Sequence, residues 1–494
     1  MIAVTNTFTN DGLEPVPVRV EADIQRGLPS FQVIGLPDAA VRECRERVRA
    51  ALVNSGFEFP LRRVIVNLTP GDSRKCEPAI DLAIAAAVLA ADGQIDTEQL
   101  QSVVLVGELA LDGTVRRIRN AVGMTRHARD TGKRSIVLPE FNGSEAAMIN
   151  EIRIWAIRHV SQLRDIKRCH EPTPPKFEEN YAEQSDLADL RGNEPARRAI
   201  EVAAAGGHSM LMVGPPGSGK TMVARRITSI LPPLTTREAV EVVGIRSASG
   251  LSFENTVSRV RPFRAPHHTV SAAALIGSGT PTRPGEVTLA HHGVLYLDEL
   301  VEFNRPSLEA LRQPVAEHQV TVLRADRKVV FPANFQLLAG TNPCPCGHGP
   351  DSPHCRCSEA SLLRFKEAVE SVTDRLFDIR VTTELPSAKE LAGEPGESSE
   401  SVRKRVMAAR GRQAYRYDYP RTNSEATAAE VFWFEATKDA GRLLEHHDRA
   451  SGGRIMRLLK VARTIADLAG EDEIREQDMA EAIALASPEA LVTA

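Results

Sequence analysis

The sequence predicts a multidomain α/β protein with a helical C-terminal part. Its length of 494 residues exceeds that of an ordinary single domain. Strand-like apolar runs alternate with amphipathic helical runs over most of the chain. A glycine-rich motif lies between one such strand and one such helix, as in nucleotide-binding α/β folds.

Composition and charge limit the classes of function. The net charge is −4 and aromatic residues make up 4% of the chain, so any contact with nucleic acid must come from a local basic surface. The N-terminus lacks the pattern of a signal peptide, and the longest apolar run, 82–91, is too short to cross a bilayer. Seven cysteines do not make a disulfide scaffold in a chain of this length. We therefore expect a cytoplasmic protein with no membrane partner.

The first segment, 1–168, predicts an α/β or α+β domain. "FQVIGLP", "RRVIVNLTP" and "RSIVLPEFN" are typical of strands, and "AIDLAIAAAVLAADG" is typical of a buried helix. "DAAVRECRERVRAALVNSG" predicts an amphipathic helix that Asp38 caps and Gly56 ends. The apolar face of this helix is expected at Val41, Cys44, Val48 and Leu52.

Changes in composition predict the other boundaries. Residues 169–184 are rich in proline and charge and predict a linker. The segment 185–386 holds the glycine-rich motif. The segment 387–494 is expected to be mostly helical, and its clearest helix is "RIMRLLKVARTIADLAG".

The motif "GPPGSGKT" predicts a loop that binds nucleotide phosphates. It consists of Gly214, Pro215, Pro216, Gly217, Ser218, Gly219, Lys220 and Thr221. A short apolar strand enters the loop and a helix-compatible run leaves it, so backbone N–H groups and the helix N-terminus can face phosphate oxygens. Lys220 is expected to reach the β- and γ-phosphates of ATP, and Thr221 to ligate Mg²⁺.

Polar residues follow two further strands. "GVLYLDEL" ends in Asp298, a candidate for holding Mg²⁺ through its water shell, and Glu299, a candidate for polarising the attacking water. Alone, such a pair would equally suit a solvated acidic turn. "FQLLAGTN" ends in Asn342, which either holds the water or the γ-phosphate or caps a turn.

Several longer stretches resemble a known family. "RPFRAPHHTVSAAALIGSG", "RPGEVTLAHHGVLYLDEL", "LEALRQPVAEHQVTV" and "NPCPCG" resemble the magnesium-chelatase-like AAA+ ATPases of the YifB/ComM family. "VEADIQRGLPSFQVIGLPDAAVRECRERVRAAL", "GELALDG" and "LKVARTIADLAG" extend the resemblance over nearly the whole chain.

The resemblance implies a fold and a function. It implies an N-terminal domain like that of Lon protease (ribosomal S5 domain 2-like), a P-loop AAA+ core of three αβα layers, and a C-terminal helical lid. Members of the ComM type are hexameric DNA helicases that promote branch migration during recombination. We therefore expect an ATP-hydrolysing motor that assembles into a ring and acts on single-stranded or branched DNA. The alternatives are a chelatase-like ATPase that remodels a protein partner and a nucleotide-binding module with weak hydrolysis.

The first domain is not expected to be a peptidase. The serine and lysine positions of the Lon dyad fall on Ala79 and Val122, so the nucleophile and its activating amine are both missing. The domain is expected to contact DNA or a neighbouring subunit. Its basic run either meets phosphates or forms a solvated face. That run consists of Arg116, Arg117, Arg119, Arg126 and Arg129.

Two arginine motifs of the family are displaced. The first arginine of the family's "RISGPLLDRID" falls on Ala368, and Arg375 becomes the candidate finger that a neighbouring subunit would supply. In the lid the expected arginine falls on Gly453. Arg454 is next to it, but one helical residue is about 100° of rotation. Arg457 is a weaker candidate. The displaced arginines predict either slow hydrolysis or a rearranged interface.

Four cysteines follow Asn342 in the pattern C-x-C, eight residues, C-x-C. Cys344, Cys346, Cys355 and Cys357 suit a structural Zn²⁺ site, with His348 or His354 as a substitute ligand. Free thiols on a surface loop and disulfides are the alternatives.

"QVTVLRADRKVVFP" predicts a hairpin like those that related ring helicases project into their pore. Arg324, Arg327 and Lys328 at its tip are candidates for DNA phosphate contact, or form an ordinary charged turn. His267 and His268 precede this region and suit packing or DNA contact better than metal binding.

Overall fold

The structure is a computed structural model that describes residues 2–35, 38–70, 78–179, 185–251, 256–279, 282–324, 327–447 and 452–486. Its described part contains an N-terminal mixed sheet with helices, a parallel sheet between helical layers, and a C-terminal group of helices. This is the mixed α/β architecture that the sequence predicts. The domain boundaries and the likeness of the first domain to Lon protease stay predictions.

The N-terminal part is built on a seven-stranded sheet of order β3-β4-β2-β1-β5-β8-β9. Its strands, with the separate β6–β7 pair, are β1 (Ile2–Asp11), β2 (Glu14–Gln25), β3 (Ser30–Ile34), β4 (Arg63–Thr69), β5 (Val103–Leu105), β6 (Glu108–Leu109), β7 (Val115–Arg116), β8 (Ser135–Pro139) and β9 (Arg153–Ile157). Its helices are α1 (Asp38–Asn54), α2 (Asp81–Ala91), α3 (Ala121–Asp130) and α4 (Gly143–Ala146). The β1–β2 and β2–β4 pairs are antiparallel, and the other pairs of the seven-stranded sheet are parallel.

The helices of this part follow their apolar patterns. Every residue of α2 is buried, as expected for a helix that is apolar all round. In α1 the side chains of Cys44, Val48 and Leu52 are buried, while that of Val41 lies outside the described part. Gly56 follows the helix with a φ of +75°, a conformation that glycine adopts without a steric cost.

The central part is built on a five-stranded parallel sheet of order β13-β16-β19-β11-β20. The strands of this part are β10 (Lys176–Glu178), β11 (Met210–Val213), β12 (Thr256–Ser258), β13 (Phe263–Arg264), β14 (Gly277–Ser278), β15 (Arg283–Pro284), β16 (Val294–Leu297), β17 (Gln319–Arg324), β18 (Arg327–Pro332), β19 (Gln336–Thr341) and β20 (Ile379–Thr382). Its helices are α5 (Glu194–Gly206), α6 (Lys220–Ile230), α7 (Thr236–Ala248), α8 (Ala272–Ile276), α9 (Glu286–Leu289), α10 (Arg305–Ala310), α11 (Arg312–Glu317) and α12 (Glu359–Leu376).

Alternate residues of the central strands enter two different cores. Met210 and Met212 of β11 pack with α5, α6 and the C-terminal helices, whereas Leu211 and Val213 pack with α12 and the β17–β18 hairpin. Fully apolar strands that are covered on both faces are typical of parallel α/β sheets. The strands Met210–Val213, Val294–Leu297 and Gln336–Thr341 confirm the three strands that the sequence predicts around the motif residues.

Described residues of the predicted linker pack into the fold. Its residues Lys176–Glu178 form β10, which pairs in parallel with β12. Cys169 is buried, and the carbonyl of His170 accepts a hydrogen bond from the N–H of Ala156. Residues 180–184 lie outside the described part. A segment rich in proline and charge can therefore still pack against the rest of the protein. Here its backbone groups form hydrogen bonds with both neighbouring parts.

The C-terminal part is helical, as predicted. Its helices are α13 (Ala388–Leu391), α14 (Ser399–Tyr417), α15 (Ala428–Val431), α16 (Lys438–His447), α17 (Gly452–Ala469) and α18 (Glu476–Ala486). α14 and α17 pack against α5, so this part covers one face of the central sheet. Among the described helices, none is both long enough and apolar enough to cross a membrane.

The N-terminal part packs against the central part through α3 and α7. Val122 of α3 shares an apolar cluster with Val243 of α7. The basic run of the first domain borders this contact, since Arg117 Nη2 donates to the carbonyl of Leu251 at 2.8 Å. A Cβ added to Gly250 would lie 2.9 Å from Arg119 Nε. At least these two arginines therefore face the central part, which neither sequence interpretation foresaw.

Candidate nucleotide site

Three neighbouring strands bring the candidate residues to one edge of the central sheet. β11, β16 and β19 are adjacent and parallel, so their carboxyl ends lie together. The glycine-rich loop follows β11, Asp298 and Glu299 follow β16, and Asn342 follows β19. Ligands of parallel α/β sheets bind at this edge.

Glycines shape the loop. Gly217 and Gly219 have φ angles of +83° and +88°, which side chains of other residues rarely permit. A Cβ on Gly214 would lie 2.2 Å from Thr383 Oγ1, so the loop depends on a bare backbone at this close approach. Ser218 Oγ lies 2.7 Å from the same Thr383 Oγ1. The following helix, α6, begins at Lys220, so its unpaired N–H groups and positive dipole end face the loop.

Lys220 is buried inside the loop that precedes it. Its Nζ donates to the carbonyls of Gly214 at 2.6 Å and Pro215 at 3.0 Å, and lies 3.4 Å from Asn342 Oδ1. Burial lowers the pKa of this amine, and the nearby carboxylates of Asp298 and Glu299 oppose that shift. The amine is thus held beside the place where a phosphate would enter.

Thr221 and Asp298 form a pair of oxygen ligands. Thr221 Oγ1 donates to Asp298 Oδ2 at 2.8 Å, and the hydroxyl of Tyr296 donates to Asp298 Oδ1 at 3.0 Å. Burial raises the pKa of Tyr296, which keeps its hydroxyl a donor. A Cβ on Gly340 would lie 2.6 Å from that hydroxyl, so this glycine makes room for it. Hydroxyl and carboxylate oxygens fit Mg²⁺, which takes few protein ligands and keeps several waters.

Sequence reasoning missed Tyr296. It stands inside "VLYL", where the pattern indicates only a buried strand. The position of its hydroxyl can be explained from the strand. Side chains two residues apart on a strand lie on the same side, so those of Tyr296 and Asp298 face the same way. The sequence does hold one indication of this contact. A tyrosine, whose buried hydroxyl needs a hydrogen-bond partner, stands two residues before the carboxylate.

Glu299 lies at the open side of the site. Its backbone is left-handed, with φ +54°, and its side chain is about half exposed (53%). His268 Nδ1 lies 3.2 Å from Glu299 Oε2. The paired histidines therefore contribute a contact with the candidate catalytic carboxylate, which the sequence did not predict.

The structure describes the side chains of only some of the candidate arginines. Arg375 belongs to the last turn of α12, but its side chain lies outside the described part. Arg454 is half-buried in the first turn of α17. Arg457, three residues further along, lies near Asp378. The pKa of Asp378 is lowered: burial, the largest effect, raises it, but the hydrogen bond with His208 and the charges of Lys460 and Arg457 outweigh burial. The roles of Arg375 and Arg454 stay predictions.

The four cysteines of the C-x-C pattern converge. They are free thiols, and all four Sγ atoms lie within 4.8 Å of one another. Cys344 is fully buried, and its Sγ accepts a hydrogen bond from the N–H of Gly349 at 3.3 Å. A backbone hydrogen bond from His348 is the largest of the effects that lower the pKa of Cys346 to about 6, whereas burial is the largest of those that raise the pKa of Cys357 to about 12. Thiolates stabilised by backbone N–H groups are the ligand type that Zn²⁺ takes in structural sites.

A second convergent cluster does not suit a metal. His291 Nε2 and His292 Nε2 lie 3.4 and 2.8 Å from Glu241 Oε2. However, His291 Nδ1 accepts a hydrogen bond from the N–H of Asn334 at 3.0 Å, so the proton of a neutral ring is on Nε2. That proton donates to Glu241 and occupies the lone pair that a metal would need. Hydrogen bonds from the two histidines are the largest effects that lower the pKa of Glu241.

The predicted hairpin is confirmed as the antiparallel pair β17–β18. Lys328 is exposed. The side chains of Arg324 and Arg327 and the tip residues 325–326 lie outside the described part. In the N-terminal part, Ala79 and Val122, on which the dyad positions of Lon protease are predicted to fall, are both buried.

Comparison with known proteins assigns the chain to a family. The family model described as "Magnesium chelatase, subunit ChlI" matches residues 186–391. "Subunit ChlI of Mg-chelatase" matches 20–142, and "Magnesium chelatase, subunit ChlI C-terminal" matches 396–486. The chain is 39% identical over 491 residues to the protein YifB of Escherichia coli K12, covering 98% of this chain and 96% of the relative. It is 36% identical over 496 residues to the competence protein ComM of Haemophilus influenzae Rd, covering 98% and 97%.

The chain belongs to the YifB/ComM family of magnesium-chelatase-like proteins. The resemblance of its motifs is thereby confirmed. As a member of this family it is an AAA+ ATPase of the magnesium-chelatase type, for which ATP and Mg²⁺ are the implied ligands. The oxygen pair of Thr221 and Asp298 fits the metal, and the glycine-rich loop fits the phosphates.

Proposed function

We propose that this YifB/ComM family member is an ATP-driven motor that acts on DNA. In this proposal it is a ring helicase, a hexamer in the cytoplasm, that promotes branch migration or remodels recombination intermediates. The observation that carries the catalytic part is the convergence of Lys220, Asn342 and the Thr221–Asp298 pair at the carboxyl ends of three adjacent strands. The likeness to a competence protein over nearly the full chain supports the DNA part.

Each residue has one task in the proposed reaction. Backbone N–H groups of residues 214–221 bind the phosphates of ATP, and Lys220 leaves the carbonyls of Gly214 and Pro215 to bind the β- and γ-phosphates. Thr221 would ligate Mg²⁺ and Asp298 would hold it through its water shell, and the ion would supply positive charge to the phosphates. Glu299 accepts the proton of the attacking water, and Asn342 orients that water or the γ-phosphate.

Two arginines would complete the site. Arg375 of a neighbouring subunit and Arg454 of the lid stabilise the charge that develops on the transferred phosphoryl group, an effect worth about 10³-fold or more in rate. Arg324, Arg327 and Lys328 of the hairpin contact DNA phosphates without sequence preference. The proposed domains are residues 1–168, 185–386 and 387–494, joined by the segment 169–184.

Two alternatives have support of their own. The name of the matching family models favours an ATPase that remodels a protein partner, as a chelatase motor does. The arginine positions that fall on Ala368 and Gly453 favour a nucleotide-binding module with weak hydrolysis. Stimulation by DNA separates the motor from both alternatives.

The test is steady-state ATP hydrolysis by the purified protein, alone and with single-stranded, duplex and four-way-junction DNA. We expect turnover to rise with single-stranded or branched DNA and to vanish in Lys220→Ala. The rise should weaken with salt, because the hairpin contacts are phosphate contacts. ATP binding without turnover on any DNA would refute the motor and support the weakly hydrolysing module.

A further inference from the structure

The four-cysteine loop lies directly against the phosphate loop. Gly347 stands between Cys346 and His348, has a φ of +86°, and donates its N–H to the carbonyl of Cys344 at 3.0 Å. A Cβ added to Gly347 would come within 3.1 Å of two ring atoms of Pro216. The turn 344–347, which contains the first two cysteines, is therefore in close contact with the tip of the phosphate loop.

The same loop begins beside the catalytic edge of the sheet. One residue separates Cys344 from Asn342, whose Oδ1 lies 3.4 Å from Lys220 Nζ. At its other end, Cys357 is followed after one residue by α12. Asn342 and residues of α12 both line an apolar cavity of about 310 Å³. Any group that fixes the cysteine loop thus fixes the path of the chain between Asn342 and α12.

The sulfur positions fit a metal ion held by four thiolates. The Sγ–Sγ distances are 3.3 Å for Cys344–Cys346, 3.7 Å for Cys346–Cys355 and 3.9 Å for Cys344–Cys355. A tetrahedron with Zn–S bonds of about 2.3 Å has S···S edges of about 3.8 Å. Disulfide sulfurs would instead be about 2.05 Å apart.

We propose that Cys344, Cys346, Cys355 and Cys357 bind one Zn²⁺ ion and that the zinc-bound loop holds Pro216 and Asn342 in position for nucleotide binding. The four thiols release their protons to solvent as their thiolates bind the ion, which leaves the site with a charge of −2. The second half of the proposal rests on the nucleotide site proposed above. The ion is structural: its four protein ligands leave no open position for substrate.

The metal is tested first, independently of ATP. We expect about one zinc per chain by elemental analysis of the purified full-length protein. Cobalt in place of zinc should give the intense visible absorption of a tetrahedral thiolate site. The double variant Cys355→Ser/Cys357→Ser should lose the metal, and Cys169→Ser, which removes a thiol outside the cluster, should keep it. Wild-type protein that holds no zinc and takes up none, or that carries disulfides in the cluster, would overturn the site.

The coupling is tested by nucleotide affinity. Zinc is removed with a chelator, the chelator is removed, and Mg²⁺ is restored before titration with a fluorescent ATP analogue. We expect the Kd to rise about tenfold, equal to about 1.4 kcal/mol, and to recover when zinc is added back. Equal affinity with and without zinc would overturn the coupling.

A second variant separates the contact from the ligands. Gly347→Ala keeps all four cysteines but pushes against Pro216, so zinc content should stay unchanged while the Kd rises. The matched control is Gly93→Ala, which has a similar φ of +81° and open space around its added Cβ. Its Kd should stay at the wild-type value. Zinc-loaded wild-type protein that binds no nucleotide would refute the coupling together with the proposed function, and would leave the zinc site standing.

Discussion

Glu299 combines three features that suit a general base rather than a structural carboxylate. It follows the Mg²⁺-ligand candidate Asp298, its side chain is about half exposed, and it contacts His268. An exposed carboxylate gains little stability from a histidine contact. The left-handed backbone of Glu299 is locally strained, and strained residues cluster at active sites.

We predict that Glu299→Gln lowers kcat by about 100-fold or more while nucleotide affinity stays near the wild-type value. Glutamine keeps the length and the backbone preference of the residue but cannot accept a proton from water. Steady-state kinetics and titration with a fluorescent nucleotide measure the two effects. Glu302→Gln is the control, because Glu302 is an exposed carboxylate three residues away. A Glu299→Gln protein with wild-type kcat would assign the base elsewhere.

At the scale of elements, the C-terminal helices are held by a buried ionic cluster as well as by apolar packing. Asp467 of α17 is fully buried and accepts hydrogen bonds from Arg416 of α14 at 2.9 Å and from Arg463 at 3.2 Å. Asn423 Nδ2 donates to it at 2.9 Å. Such a cluster is costly to break, because removing one partner leaves buried charge without compensation.

Asp467→Ala should therefore destabilise the packing of α14 on α17 by about 3–5 kcal/mol. Hydrogen exchange of the backbone amides in these two helices measures the local opening free energy. Asp472→Ala is the matched control: Asp472 also pairs with an arginine, Arg412 at 3.0 Å, but its side chain is 94% exposed. Its loss should cost under about 1 kcal/mol. Similar costs for the two variants would mean that burial does not govern this cluster.

At the scale of the whole molecule, the sequence predicted what depends on neighbours along the chain. The polar residues at 298, 299 and 342 stand at strand ends, and a motif of fixed spacing marks the phosphate loop. These local patterns are enough to predict that the residues lie together in one site. The contact between Tyr296 and Asp298 depends on the direction of two side chains on one strand. The contact between His268 and Glu299 depends on two segments that are distant in the sequence, and no local pattern predicts it.

The contact between the first domain and the hairpin also joins segments that are distant in the sequence. Gly12, in the turn between β1 and β2, lies against the hairpin: an added Cβ would come 2.7 Å from Val329 Cγ1 and 3.1 Å from the ring of Phe331. Leu13 packs on the same apolar cluster. The hairpin that carries the candidate DNA-binding residues is therefore seated on the N-terminal domain. We expect this contact, which needs no peptidase chemistry, to set where the hairpin lies.

Gly12→Ala should consequently reduce the stimulation of ATP hydrolysis by DNA several-fold while the basal rate is kept, because the substitution displaces the hairpin and leaves the nucleotide site untouched. The left-handed backbone, φ +66°, adds a cost of about 1–2 kcal/mol to the steric one. Gly132→Ala controls for that backbone cost, since its φ is +73° and its added Cβ meets no atom within 4 Å. ATPase rates and DNA affinity at matched salt measure the effect. If both variants kept full stimulation, the seat of the hairpin on the first domain would be a packing contact without a part in DNA binding. A loss in Gly12→Ala alone would make the N-terminal domain part of the motor.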